Sequence, residues 1–252
     1  MNVTRKISFL IVLAITALLA NSCRPYGKEV PTGTPFPANN VYSSVSYDHA
    51  SLQNVFLLPF ENPFNNRIVN DKKIELAQSL LRNFSKFHYF HIKYDNKYPE
   101  NSEKVIDLST GQNDRFKIGA LAQEYNAQAV MKISIDEYQP YFPMRMRVKA
   151  IMVDGSSGER IWAFDETFDT DDANVVNGMR YWWNKKMAGG FNSNRFSLSR
   201  VRAEFFTNYI FDTMADSYGR ARVRNVEMIQ NQRLLEAKKA EEIRLKQEQV
   251  YE

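Results

Sequence analysis

Apolar and polar residues alternate most regularly in two neighbouring segments, residues 144–153 and 160–168. Successive side chains of a β-strand point to opposite faces, so each segment predicts a strand with one apolar and one more polar face. The intervening sequence DGSSG, residues 154–158, is typical of a tight turn. We therefore predict a β-hairpin over residues 144–168.

Three other segments have the character of strands. Residues 55–60 (VFLLPF) form an apolar run, residues 89–94 are mixed, and residues 129–138 alternate. Short apolar or alternating runs that end at proline or at polar turn residues are typical of strands. These three runs predict strands that precede the hairpin.

Helical spacing of apolar residues separates these strands. It occurs in residues 74–84 and again in residues 118–125. Asn70 or Asp71 would cap the first helix and Asp114 the second, because a short polar side chain accepts hydrogen bonds from the backbone N–H groups of a first turn.

The rest of the chain is less regular. Residues 97–113 are polar and predict a loop, whereas residues 175–196 are rich in aromatics and predict irregular structure. Residues 198–218 predict a helix with apolar residues four apart. Residues 223–252 are charged and favour a helix, but they sustain no heptad pattern.

The first residues carry a pattern of their own. Residues 7–20 (ISFLIVLAITALLA) are almost wholly apolar, follow Arg5 and Lys6, and precede Cys23, the only cysteine. This layout is typical of a secretory signal, and the run is shorter than the roughly 17 residues that a membrane-spanning helix needs. A single cysteine forms no intrachain disulfide, so the core alone must hold the fold.

The sequence ANSC at residues 20–23 resembles the lipobox of bacterial lipoproteins, whose cysteine is acylated and begins the mature chain. The resemblance implies lipidation at Cys23, with the lipid bilayer as a partner. Arg24 replaces the aspartate that retains lipoproteins in the inner membrane of enteric bacteria, which favours the outer membrane, facing the periplasm, by analogy. The alternative is an ordinary signal peptide, or a membrane anchor, with an incidental cysteine.

These patterns together predict the organisation of the chain. We expect a signal peptide at residues 1–22, a Pro-rich extended tether at 23–51, a folded domain at 52–221 and a charged helical tail at 222–252. The order of elements indicates an α/β (α+β) sandwich. Its small mixed sheet would carry a C-terminal β-meander, with flanking helices and a C-terminal charged helix.

Composition and charge exclude some classes of protein. Hydrophobic residues make up 44 % of the 252 residues and charged residues 25 %, which is typical of a folded domain. The net charge is +4, and two of the cations, Arg5 and Lys6, would leave with the signal peptide. No clustered basic face remains, so nucleic acid is not an expected partner.

Several motifs resemble a broad group of envelope proteins. Residues 55–62 (VFLLPFEN) resemble the first strand of that group, residues 126–133 (NAQAVMKI) its "ADAVL.G.I" segment, and residues 150–163 (AIMVDGSSGERIWA) its "L.LVD..TGE..WA" hairpin. The group includes the amino-terminal domain of TolB, the curli-secretion lipoprotein and lipoprotein activators of peptidoglycan synthases. The resemblance covers residues 55–168 and implies an α/β domain of this kind.

Candidate chemistry is sparse. His88 and His91 have an H-x-x-H spacing, but positions three apart on a strand point to opposite faces, so we expect no metal and no cofactor. Residues 165–172 include an acidic run, which is a solvated strand end or a set of carboxylates for acid–base chemistry. The run comprises Asp165, Glu166, Asp169, Asp171 and Asp172.

Two groups of residues are candidates for binding. Aromatic side chains near proline and glycine often mark recognition surfaces, although core packing is the alternative. The six candidates are Tyr138, Tyr141, Phe142, Tyr181, Trp182 and Trp183. Arg145, Arg147 and Lys149 form either a solvated strand face or a surface for acidic glycan or phospholipid.

We therefore expect a membrane-anchored lipoprotein of the bacterial envelope, not an enzyme, that acts as an accessory or scaffold and binds another envelope protein. The first alternative is an envelope hydrolase or glycan-binding protein that uses the acidic run of residues 165–172. The second is an oligomeric export component.

Overall fold

A computed structural model describes residues 33–95, 114–187 and 202–248. Within these ranges the chain forms six strands and four helices. The strands are β1 (Val41–Ser43), β2 (Asn54–Leu57), β3 (His91–Tyr94), β4 (Ala129–Gln139), β5 (Arg145–Asp154) and β6 (Arg160–Asp169). The helices are α1 (Arg67–Ser85), α2 (Arg115–Glu124), α3 (Ala173–Trp182) with a π-helical turn at Trp183–Met187, and α4 (Ala203–Glu248).

The strands form one mixed sheet in the order β1-β6-β5-β4-β2-β3. The three consecutive strands β4, β5 and β6 pair antiparallel, which confirms the predicted hairpin and the meander that contains it. β2 is parallel to both β4 and β3, and β1 is antiparallel to β6. The predicted class, a small mixed sheet flanked by helices, is confirmed.

Helices cover the two faces of the sheet unequally. The main core lies between one face and helices α1 and α4, with Trp162, Phe168 and Phe206 among its buried residues. A smaller core on the other face packs α2 against β2, β4 and β5. The rest of this second face carries charged residues.

Two predictions about local structure were wrong, and a third concerns residues that the structure does not describe. Asn66, not Asn70 or Asp71, caps α1 and accepts hydrogen bonds from the N–H groups of Ile68 and Val69. The first part of residues 175–196 is not irregular, because α3 begins with Asp172 as its cap. The predicted loop at 97–113 lies outside the described residues. The predicted cap of α2, Asp114, is confirmed.

Residues 33–51, which we assigned to the tether, contact the sheet and α4. The ring centroids of Phe36 and Phe168 are 4.8 Å apart, and β1 pairs with β6. Asn225 of α4 donates hydrogen bonds to the carbonyl oxygens of Ser44 and Val45, at 3.3 and 3.1 Å. The packed chain therefore starts before the predicted boundary at residue 52.

The last helix, α4, has 46 residues and two unlike halves. Most side chains between Phe205 and Ala221 are buried, because the sheet, α1, α3 and residues 33–51 surround this half. Every side chain from Gln230 to Glu241 is exposed. The helix after Asn225 is about 35 Å long at about 1.5 Å per residue, and we call residues 226–248 the projecting helix.

His49 joins the segment before β2 to α4. Its side chain is fully buried, with Nε2 3.2 Å from the carbonyl oxygen of Ser44 and Nδ1 3.4 Å from the hydroxyl of Tyr218. Burial lowers the pKa of this imidazole below 6.5, and Arg222 acts in the same direction, against the hydrogen bond to Ser44 and the charge of Asp48.

We expect His49 to make stability depend on pH. The unfolded chain protonates this side chain near pH 6.5 and the folded chain only at lower pH, so the free energy of unfolding falls as pH decreases through and below 6.5. Denaturant titrations between about pH 7.5 and pH 5 measure this slope. The His49→Gln variant should show a smaller slope, and equal slopes would contradict the assignment.

Candidate docking surfaces

Three exposed aromatic side chains lie at one end of the sheet. Tyr141 and Phe142 are 75 % and 51 % exposed in the loop between β4 and β5, where the Phe142–Pro143 bond is cis. Phe64 is 73 % exposed in the loop between β2 and α1. We call Phe64, Tyr141 and Phe142 the aromatic tip, because exposed aromatic residues at a loop end are candidates for contact with another surface.

Asparagines hold Phe64 in place. Asn62 Oδ1 accepts a hydrogen bond from the N–H of Asn66 at 2.9 Å, and Asn66 Nδ2 donates to the carbonyl oxygen of Tyr138 at 3.1 Å. This second bond joins the Phe64 loop to the end of β4, next to Tyr141. The sequence prediction missed Phe64, and the signal available was an aromatic residue within the turn-forming sequence NPFNN.

The six predicted aromatic residues do not form one surface. Tyr138 and Trp182 are only 4 % and 5 % exposed. The Tyr138 hydroxyl lies 3.4 Å from Thr207 Oγ1, and Trp182 packs edge-on against Phe205. These two side chains contact the core rather than solvent, so they are not available to a partner.

Tyr181 and Trp183 are half-buried beside α4. The ring centroids of Trp183 and Phe205 are 5.1 Å apart, and Lys185 Nζ donates to the Tyr181 hydroxyl at 3.3 Å. Of the predicted six, only Tyr141 and Phe142 are well exposed.

A β-bulge explains the burial of Tyr138. The pairing of β4 with β5 shifts by one residue between Ile135 and Glu137. A bulge adds one residue to a strand, so every later side chain changes face. Strict alternation would place Tyr138 on the more polar face with Lys132, whereas the bulge turns it into the main core.

The acidic run is divided among structural roles. Glu166 is buried and accepts hydrogen bonds from the backbone N–H groups of residues 39 and 40. Asp169 pairs with Arg145 at 3.0 Å, and Asp172 caps α3 by accepting from the N–H of Asn174 at 2.8 Å. These contacts hold β1, β5 and α3, so the described geometry does not gather the carboxylates into a catalytic pair.

The cationic side chains of β5 also have acidic partners. Lys149 Nζ lies 2.6 Å from Asp136 Oδ2, and Arg147 contacts Asp165 at 3.4 Å. The hydrogen bond and charge of Asp165 raise the pKa of the Arg147 guanidinium. This strand face is a network of ion pairs, which leaves little charge to attract an acidic glycan or phospholipid.

A groove with a volume of about 840 Å³ lies between the end of α1 and the edge strand β3. His88 and His91 line it, together with Arg82 and the apolar side chains of Leu52 and Phe90. Among the described residues, no group of three or more His, Cys, Asp or Glu side chains is placed to hold a metal ion.

No model of a protein family matches the chain, and no curated protein matches it. None of the helices in the described ranges is long and apolar enough to cross a membrane.

Solved structures that resemble part of this chain include those of three bacterial proteins. The PelC dodecamer from Paraburkholderia phytofirmans is 10 % identical, with 60 % of this chain and 93 % of that chain covered and a TM-score of 0.35. Lipoprotein GNA1162 from Neisseria meningitidis is 15 % identical, with 48 % of this chain and 87 % of that chain covered and a TM-score of 0.32. The LpoB C-terminal domain from Salmonella enterica is 14 % identical, with 46 % of this chain and 81 % of that chain covered and a TM-score of 0.30. With these TM-scores, none of the three assigns the chain to a family.

Proposed function

We propose that this protein is a lipoprotein of the bacterial envelope that serves as a non-enzymatic accessory or scaffold and binds another envelope protein. The observation that carries the proposal is Cys23, the only cysteine, directly behind a cationic start and an apolar run of about 14 residues. Acyl chains on Cys23 would hold the protein to the outer membrane on its periplasmic side, since Arg24 follows the cysteine.

The roles of the acidic residues favour a scaffold over a hydrolase. Glycoside hydrolysis by carboxylates needs two of them that flank the scissile bond, roughly 5 to 9.5 Å apart. Asp165 instead binds the guanidinium of Arg147, and Asp169 binds that of Arg145, both on β5. Asp172 caps the first turn of α3. Because each of the three carboxylates is engaged in a contact within the fold, a structural role is favoured over a catalytic one.

The projecting helix is the part of the chain that we assign to the partner. Leu234 and Leu235 are about three-fifths exposed on it, at 60 % and 59 %, and Met228 is also exposed. Apolar side chains on an otherwise charged, solvated helix gain most from burial against another protein. We therefore assign residues 226–248 to the contact with an envelope protein.

One experiment tests the anchor and the partner together. A photo-crosslinking amino acid replaces Leu235 in the full chain, in the wild-type background and in a Cys23→Ala background, and membrane fractions are irradiated. We expect a mature chain that begins at Cys23 and carries acyl mass, with a defined crosslinked product. Both should be lost in the Cys23→Ala background, because attachment at the membrane places the helix near its partner.

The matched control carries the crosslinker at Lys73, a position on α1 in the folded domain. A product of equal yield from this position would show that capture is non-specific. A mature chain without acyl mass would exclude the anchor, and an acylated chain with no product at Leu235 would exclude the projecting helix as the contact.

A further inference from the structure

The N-terminal tether joins the domain beside α3. Gly33 lies so close to this helix that a Cβ atom there would come within 2.5 Å of the carbonyl oxygen of Asn177. Its φ of +128° is also one that side chains rarely adopt. Three residues later, the Phe36 ring packs on Phe168 near the end of β6. The chain from Cys23 therefore arrives at a defined place on the surface.

This place and the aromatic tip are at the same end of the sheet. Thr170, just after β6, exchanges hydrogen bonds with the backbone N–H and carbonyl of Met144, at 2.8 and 3.2 Å. Met144 follows the loop of Tyr141 and Phe142, and the cap of α3, Asp172, comes two residues after Thr170. One cluster of loops thus carries both the tether and the tip.

The projecting helix leaves from the opposite end. α4 begins near the tip, where Thr207 approaches Tyr138 and Phe205 packs on Trp183. It then crosses the domain to Asn225, which donates a hydrogen bond to the carbonyl oxygen of Ser44. The preceding residue, Ser43, pairs with Trp162 near the start of β6, at the end of the sheet away from the tip. Gly33, where the chain from Cys23 reaches the domain, and the projecting helix therefore lie at opposite ends of the sheet.

We infer that the aromatic tip rests on the surface of the same bilayer that holds the lipid on Cys23. The inference depends on the proposed function, because it needs an acylated Cys23. Nine residues lie between Cys23 and Gly33, and this stretch spans at most about 35 Å when fully extended. Gly33 therefore lies within about 35 Å of the anchored cysteine, and the aromatic tip is at the same end of the sheet.

The chemistry of the tip suits the bilayer interface. Aromatic rings, and tyrosine in particular, are favoured at the boundary between hydrocarbon and headgroups, where the ring is buried and the hydroxyl stays hydrated. A second contact also adds to the attachment that acyl chains provide. The shared end of tether and tip makes the bilayer, rather than a distant partner, the nearest large apolar surface.

Charge makes little contribution to this contact. Lys72, on α1, donates a hydrogen bond to Glu75 at 3.1 Å, and this bond raises the pKa of the lysine. Arg145, at the start of β5, pairs with Glu137 at 3.5 Å as well as with Asp169. Because these cations have acidic partners, binding of the tip should depend on apolar burial and not on anionic lipids.

The test uses the acylated full chain in phosphatidylcholine vesicles. Tyr141→Cys and, separately, Phe64→Cys are labelled with an environment-sensitive fluorophore, and intact mass confirms that Cys23 carries lipid in each sample. The matched control is Phe116→Cys, because Phe116 is a 93 % exposed aromatic at the far end of the sheet. Its neighbour Arg115 packs on Gly158 in the turn between β5 and β6.

We expect blue-shifted emission at positions 141 and 64, and several-fold stronger quenching there by nitroxide-labelled lipids than at position 116. Addition of phosphatidylglycerol or salt should change neither result. Equal quenching at all three positions in acylated protein would overturn the inference and leave the proposed anchor intact. A blue shift that appears only when the protein is crowded on the vesicle would assign the tip to a second copy and also overturn it. Absence of acyl mass would overturn both proposals.

Discussion

Replacement of Trp162 by alanine is expected to lower the free energy of unfolding by about 4 kcal/mol. Trp162 is fully buried on β6, where its ring packs edge-on against Tyr218 of α4 at 5.8 Å and beside Phe164 at 6.1 Å. Alanine removes the contact between the sheet and α4 and leaves a cavity that the surrounding rings cannot fill, because close-packed side chains relax only in part.

Two further variants separate this cavity from other effects. Trp162→Phe keeps an aromatic ring and removes an indole N–H that has no hydrogen-bond partner in the part of the chain that the structure describes, so it should cost less than about 1.5 kcal/mol. Trp183→Ala removes a half-buried ring and should cost clearly less than Trp162→Ala. Equilibrium denaturation measures all three, and a loss at position 183 as large as that at 162 would contradict the packing argument.

Removal of Lys186 should cost about 3 kcal/mol. Lys186, in the π-helical turn after α3, places Nζ 2.6 Å from Oδ2 of Asp212, whose side chain is only 3 % exposed. The other oxygen, Oδ1, is buried and has no hydrogen-bond partner among the described residues. The Lys186→Met variant therefore leaves a buried carboxylate with no counter-charge, and such a charge costs much more than a hydrated one.

The double variant Lys186→Met/Asp212→Leu tests whether the cost comes from the charge that remains. Replacement of a buried ion pair by apolar residues of similar size is often neutral, so the double variant should be close to the wild type and far more stable than Lys186→Met. Equal losses in the single and the double variant would show that Lys186 acts through the cation–π contact of its Nζ with the Phe87 ring, 4.5 Å away, rather than through its ion pair with Asp212.

The two functional proposals give the ends of the molecule different tasks. Gly33, where the chain from Cys23 reaches the domain, and the aromatic tip are at one end of the sheet, and the projecting helix extends about 35 Å from the other end. With Cys23 in the bilayer and the tip on its surface, the helix would extend away from the membrane. That arrangement suits a protein that holds a partner at a distance from its anchor.

Local sequence signals predicted some elements correctly and others not. The DGSSG turn and its flanking alternation are contained in about two dozen neighbouring residues, and the structure confirms that hairpin. The residue that caps α1 was harder to predict, because several Asn and Asp residues with a similar preference for the cap position lie close together before the helix. Its position is decided by Asn66, whose amide reaches the carbonyl of Tyr138, more than seventy residues away.

Burial of single residues was the least predictable property. Phe36, Val41 and His49 lie in a Pro-rich segment without apolar periodicity, yet each packs against the main core or α4. Among the aromatic residues, Tyr138 and Trp182 are buried whereas Tyr141 is exposed. Residue type alone does not distinguish these cases, because a ring gains from burial in a core as well as in an interface.

The sequence by itself determined the leader pattern ahead of Cys23, the mixed α/β class and the β4–β5–β6 meander, because these depend on periodicity and turn chemistry between near neighbours. Only the tertiary structure decided which aromatic side chains are exposed, which carboxylates are paired and where the tether meets the domain. Those properties depend on contacts between distant residues and on one bulge in β4, which reverses the faces of every later side chain in that strand.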